Sequence, residues 1–134
     1  MYDLYLSTDV AQIAINAQEK VIKDIASKGS CVIVGRASDY VLRDNKNLVS
    51  VFVYAPMDYR IKKVQEMYGD DEQTALQNIQ RSDKSRANYY KSITSKEFGD
   101  ANNYDLCVDS SIGEEKTADL IVEFVKNVSK TKSK

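Results

Sequence analysis

The 134-residue chain has no histidine, no tryptophan, one proline, five glycines and two cysteines. Without an imidazole, a Ser-His-Asp triad is excluded, and two cysteines that are not at finger spacing leave no zinc centre. No apolar run approaches the roughly 20 residues that a helix needs to span a bilayer, and no secretory leader is apparent, so a cytoplasmic protein without membrane partners is expected. Nor does one sign of charge prevail. Nineteen basic and twenty acidic side chains leave a net charge of −1 and a pI near 5.5, so no global field draws the chain to nucleic acid. Phosphate chemistry, if present, must come from local clustering. What the chain does have is 43% hydrophobic and 29% charged residues, the balance of one soluble globular domain and not of a disordered chain. Cys31 and Cys107 each sit in a short apolar run and are expected to be small buried thiols.

Apolar residues at Val10, Ile13, Ala14, Ala17, Val21 and Ile25 follow the three-and-four spacing of one helical face over residues 9 to 28, which Gly29 should end. Residues 31 to 35, Cys-Val-Ile-Val-Gly, are apolar on both parities, as in a central parallel strand covered on both sides. A second strand is expected over 49 to 54, with Pro56 opening a helix over 57 to 68 that carries Met57, Ile61, Val64, Met67 and Tyr68 on one face and ends at Gly69. A third strand is expected over 104 to 109, and a last helix over 114 to 128 with Ala118, Ile121, Val122 and Val125 on its face. Helices alternating with short two-sided strands predict an α/β domain with a parallel sheet. Residues 70 to 103 interrupt the alternation as a polar, mostly helical insertion, either a lid over the carboxyl edge of the sheet or padding.

Between residues 81 and 96, Arg81, Lys84, Arg86, Lys91 and Lys96 face Asp83 alone, whereas residues 97 to 115 carry six acids and no base. A basic helical arm above a sheet edge suits phosphoryl transfer, where catalysis is mostly positioning and neutralisation of charge on the transferring oxygens. Arginine's planar fork fits phosphate better than lysine does, which ranks Arg81 and Arg86 first. The plainer reading is a solvated helix face. In Gly35-Arg36-Ala37-Ser38-Asp39, an arginine that can grip an anion and a carboxylate that can take amino or hydroxyl donors directly follow the apolar run. The plainer reading there is a helix start in which Asp39 faces the positive end and Arg36 pairs with it. Tyr89 and Tyr90 could stack on a base, although two tyrosines in a helix more often serve packing.

Four blocks in order resemble the cytidylate kinase-like family of P-loop nucleoside monophosphate kinases. They are Cys31-Val-Ile-Val-Gly-Arg36-Ala-Ser-Asp39; Val51-Phe-Val-Tyr-Ala-Pro56-Met-Asp-Tyr-Arg60-Ile-Lys-Lys63; Asp83-Lys-Ser-Arg86-Ala-Asn-Tyr-Tyr90; and Asn103-Tyr-Asp-Leu-Cys-Val-Asp109-Ser-Ser. The resemblance covers about residues 19 to 126 and implies a three-layer α/β/α parallel sheet of P-loop kinase type with a helical lid over 70 to 103. It implies a transferase that uses ATP and Mg²⁺ to phosphorylate a nucleoside monophosphate, with CMP or dCMP as namesake substrates. By the same resemblance, Arg36 and Asp39 bind the monophosphate, Arg60, Lys63 and Arg86 bind phosphate or ATP, and Arg81, Asp83 and Arg86 form the catalytic lid set. Asp109-Ser110-Ser111 falls near the family's adenine-side loop. Established cytidylate kinases carry aspartate directly after the Gly-Arg pair, whereas here Ala37 and Ser38 intervene, as in the kinase-like branch.

Such kinases also carry a Gly-rich loop whose backbone amides cradle ATP phosphates. The five glycines at 29, 35, 69, 99 and 113 draw no Gly-x-x-x-x-Gly-Lys. The expectation is therefore a single partial domain over 1 to 134, inactive as given unless a longer chain supplies that loop. Two alternatives stand beside it: a non-catalytic nucleotide-binding or regulatory relic, and a homodimer in which a second copy supplies strands.

Overall fold

The computed structural model describes residues 2–132, with side chains from 10 to 129. The chain divides into two compact units, Met1–Leu48 and Val49–Lys134. In the first, α1 runs Tyr2–Ser27, supported on its surface by i,i+4 ion pairs between Lys23 and Glu19 (3.0 Å) and between Lys28 and Asp24 (3.1 Å). Gly29, at φ +148°, follows its end. A single turn, α2 (Ser38–Val41), packs against α1. Ile22, Ala37 and Ser38 are the buried residues of this unit.

The helix was correctly expected, but its covered face was not. Val10, Ile13, Val21 and Ile25 are exposed, while Ile22 is buried with Ile15, Gln18, Glu19 and Ala26 half-buried around it. Two apolar ridges share α1, and the second, a fraction of a turn away, is the one that is covered. The strand expected over 31 to 35 is also absent. Residues 31–34 form no ladder, and Val32 and Val34 are 92% and 88% exposed. An apolar two-sided pattern says what a segment can bury, but pairing partners decide whether a strand exists. For the same reason Cys31 is exposed and not a buried thiol; Cys107 is half-buried.

The second unit holds β1 (Val51–Tyr54), α3 (Met57–Tyr68), α4 (Glu72–Thr94), β2 (Leu106–Asp109) and α5 (Glu114–Lys132), with 3₁₀ turns at Ala101–Asn103 and Ser110–Ile112. β1 and β2 are parallel, Val51 facing Leu106 and Tyr54 facing Asp109. The sheet thus has two strands among the described residues, not the three expected. Pro56, at φ −58°, stands at the N-cap of α3, and Gly69, at φ +71°, closes it with its N–H donating to Gln65 O at 2.8 Å. Asp71 caps α4 by accepting from Thr74 N at 2.7 Å, and that hydrogen bond holds its carboxyl below the usual range.

α3 packs on α4, with Ile61 and Val64 half-buried, whereas Met57, Met67 and Tyr68, expected on the same face, are exposed. The core of the unit comprises Ala75, Ile79, Tyr90 and Thr94 of α4, Val108 of β2 and Thr117 of α5. Phe52 joins β1 to the segment after α4: its ring centroid lies 4.9 Å from Tyr104 and 5.2 Å, edge-on, from Phe98, which itself meets Tyr90 at 5.6 Å. On α5, Ile121 and Val125 are half-buried as expected, while Ala118 and Val122 are exposed. No helix among the described residues is long and apolar enough to cross a membrane.

Candidate functional site

Arg60 sits in the first turns of α3 and Asp83 in the middle of α4, and the packing of those helices brings them face to face. Arg60 Nη1 donates to Asp83 Oδ2 at 2.8 Å and Nη2 to Oδ1 at 2.6 Å, a bidentate pair of the stronger kind. The hydrogen bonds from Arg60 hold the Asp83 carboxyl below the usual range against partial desolvation, and the same carboxylate raises Arg60 above its ordinary value. One turn further along α4, Arg86 Nη1 stands 3.6 Å from Asp83 Oδ1 with its side chain 61% exposed. That distance is ion pairing without a hydrogen bond, so Asp83 engages none of the Arg86 donors in a hydrogen bond. Two arginines around one carboxylate leave an excess positive charge at this point.

Lys63, one turn after Arg60 on α3, pairs with Glu114 at the start of α5 (3.7 Å) and lies 5.6 Å from the centre of the Tyr59 ring. Arg81 is exposed and forms no ion pair among the described residues. Two positions before Asp83, it lies about 200° around the helix axis, so the structure does not bring it to the Arg60, Asp83 and Arg86 cluster. Lys91 pairs with Glu97, across the boundary between the basic and acidic blocks. Tyr90 is buried in the core and Tyr89 half-buried, which favours packing over base stacking for Tyr90.

In the first unit, Gly35, Arg36 and Ala37 all have positive φ, at 75°, 59° and 53°. Arg36 is exposed and Asp39 half-buried in the first turn of α2. The Arg36–Asp39 segment and the Arg60–Asp83–Arg86 cluster therefore belong to different units of the chain.

Asp109, at the end of β2, is engaged locally. Its carboxylate accepts from Ser111 N at 2.9 Å, which lowers it below the usual range, and Ser110 Oγ donates to Tyr54 O at 3.1 Å. The sequence offered Asp83 and Arg86 together as one Asp-x-x-Arg pattern and Arg60 apart from them, but not the pairing of Arg60 with Asp83, because charge patterning does not specify a partner 23 positions away. It likewise missed Glu114 as the partner of Lys63. Among the described residues, no three His, Cys, Asp or Glu side chains converge on a point where they could hold a metal ion.

The sequence profile of the cytidylate kinase-like family matches residues 2–112. A cytidylate kinase of Methanocaldococcus jannaschii is 28% identical over 90 residues, covering 66% of this chain and 51% of that protein. A cytidylate kinase of Methanococcoides burtonii is 29% identical over 94 residues, covering 69% and 52%. The chain thus spans about half the length of the curated relatives it matches. Among solved structures, an uncharacterized protein from Eubacterium ventriosum superposes with a TM-score of 0.79 at 34% identity, covering 84% of this chain and 65% of that one.

Proposed function

Because the chain belongs to the cytidylate kinase-like family, we propose that it supplies the acceptor side and the lid of a phosphotransferase that passes the γ-phosphoryl group of ATP to a nucleoside monophosphate, CMP or dCMP. In this reading the two-stranded parallel sheet is part of a three-layer α/β/α kinase sheet, and residues 70 to 103 are the lid. Arg36 grips the acceptor phosphate, and Asp39 takes donors from the acceptor. Arg86 reaches the oxygens of the group in transfer, while Asp83 holds Arg60 beside it in fixed orientation. Lys63 adds charge from α3. Arg81, on another side of α4, has a lesser part.

The observation that carries the reading is the exposed guanidinium of Arg86 beside a carboxylate already engaged by Arg60. Phosphoryl transfer asks little covalent chemistry of a protein and much pre-set positive charge. A second arginine that is held by the same carboxylate makes the group less costly to order when anion arrives. Magnesium, which the family implies, has no set of carboxylate ligands among the described residues. The ATP-cradling loop has no counterpart in this sequence, and the phosphotransferase reading holds only if a longer chain supplies it.

A coupled assay on the protein expressed from its complete coding sequence, with CMP, dCMP, UMP and AMP as acceptors, tests the proposal. Turnover with CMP or dCMP, lost in Arg86→Ala, is the expected result; no turnover with any acceptor refutes it. The missing Gly-x-x-x-x-Gly-Lys favours one other reading, a relic that binds monophosphate without ATP. Titration calorimetry separates the two, since the relic binds CMP and not ATP.

A further inference from the structure

The turn before α2 is unusual in its backbone. Three successive residues, Gly35, Arg36 and Ala37, have φ of 75°, 59° and 53°, the left-handed region that glycine enters freely and that strains a residue with a Cβ. Two of the three are not glycine. Such strain persists only where the surroundings over-determine it, and here the bonds that do so can be named. Ser38 N donates to Gly35 O at 3.2 Å, and Ser38 Oγ donates to the same carbonyl at 2.8 Å. Ala37 O accepts from Tyr40 N at 3.0 Å and from Val41 N at 3.1 Å. Ala37 and Ser38 are buried, 6% and 8% exposed, while Arg36 between Gly35 and Ala37 is exposed. The turn is therefore anchored on one side of Arg36 by a buried methyl and closed across it by a buried hydroxyl.

We propose that Ser38 is a positioning residue for Arg36: its hydroxyl, bonded to the Gly35 carbonyl, locks the left-handed turn so that the guanidinium leaves the backbone on a fixed course to the acceptor phosphate. The inference rests on the phosphotransferase reading and deepens it. Removal of the hydroxyl leaves Gly35 O with one donor from Ser38 in place of two, and a strained turn with half its closure relaxes toward right-handed φ. The Cα–Cβ direction of Arg36 then swings away. The ordering that the turn had supplied in advance must be met on binding instead, and the loss falls on the phosphate group of the ligand alone.

The test compares CMP with cytidine, which lacks the phosphate, by titration calorimetry on the complete protein. For Ser38→Ala, CMP affinity falls about tenfold, the equivalent of one net hydrogen bond, while cytidine affinity is unchanged. Ser38→Thr, which keeps a hydroxyl, restores CMP affinity. Ser38→Cys, close in volume but a weak donor, gives a partial loss and serves as the probe if Ser38→Ala does not fold. Equal losses for CMP and cytidine, or no loss of CMP affinity in either Ser38→Ala or Ser38→Cys, overturn the positioning role while leaving the phosphotransferase reading intact. A wild-type protein that binds no nucleoside monophosphate overturns both.

Discussion

Arg60 and Asp83, 23 positions apart, meet fork to fork at 2.8 and 2.6 Å and tie α3 to α4. The pair does two things at once. It fastens the helix after β1 to the long helix of the proposed lid, and it leaves Arg86, on the rim of the same carboxylate, ion-paired to it without a hydrogen bond.

The stability of this tie depends on pH in a defined direction. The Asp83 pKa is lowered in the folded chain, so its contribution is fully present above the unfolded carboxylate value, about 3.9, and is lost as pH falls through the folded value. Asp83→Asn costs about 1 kcal/mol at neutral pH, discounted because the carboxylate is 41% exposed. Urea denaturation of wild type and Asp83→Asn gives separate midpoints at neutral pH that begin to draw together only below about pH 4 and meet as pH falls through the lowered folded value.

Arg86 and Arg81 share a helix but not a neighbourhood, and steady-state kinetics on the complete protein distinguishes them. Arg86→Ala lowers kcat by about 10²-fold, the scale of one lost charge-stabilising donor. Arg86→Lys recovers only part, because the planar fork is gone. Arg81→Ala stays close to wild type. Equal effects at the two positions contradict the assignment of Arg86.

Gly99 holds a position that no other residue fills without cost. Its φ is +84°, and a Cβ there would stand 3.2 Å from Phe52 Cζ, the ring that bridges β1 to Phe98 and Tyr104. Gly99→Ala destabilises by about 1–3 kcal/mol through strain and displacement of that ring. At Gly69, φ is +71° but a Cβ would meet nothing within 4 Å, so Gly69→Ala loses only the backbone part, about 1 kcal/mol. The difference between the two midpoints in a denaturant titration measures the ring's share.

Local signals were the legible ones. Gly69 and Pro56 bracketed α3 to the residue, and the short apolar runs at Val51–Tyr54 and Leu106–Asp109 did pair in parallel. The segment at 31 to 34 is at least as apolar and β-branched, yet Val32 and Val34 are exposed, because whether a ladder partner is at hand leaves no trace in the segment itself. The candidate site divides the same way. Arg36, Asp39 and Arg86 could be singled out by charge type and position, and Arg60, Lys63 and Asp83 by the family resemblance, whereas the Arg60–Asp83 fork is a product of tertiary closure and the left-handed turn around Arg36 runs against the ordinary φ of residues that carry a Cβ. A serine followed by an aspartate at a helix start hints at capping; it does not announce that the serine reaches backwards to Gly35.

A pair of hydrogen bonds just before the amino ends of β1 and β2 joins distant parts of the chain. Asp105 N donates to Ser50 O at 2.9 Å, and Ser50 N donates to the Asp105 carboxylate at 2.8 Å, across 55 positions of chain. Parallel strands cannot be joined by a tight turn, and contacts this distant in sequence are reached only after their loop-closure entropy is met. During refolding, amides of α3 and α4 gain protection from hydrogen exchange before those of β1, as pulse labelling would record. A molecule stalled ahead of that step carries a finished helical hairpin beside two strand edges that have not yet found each other.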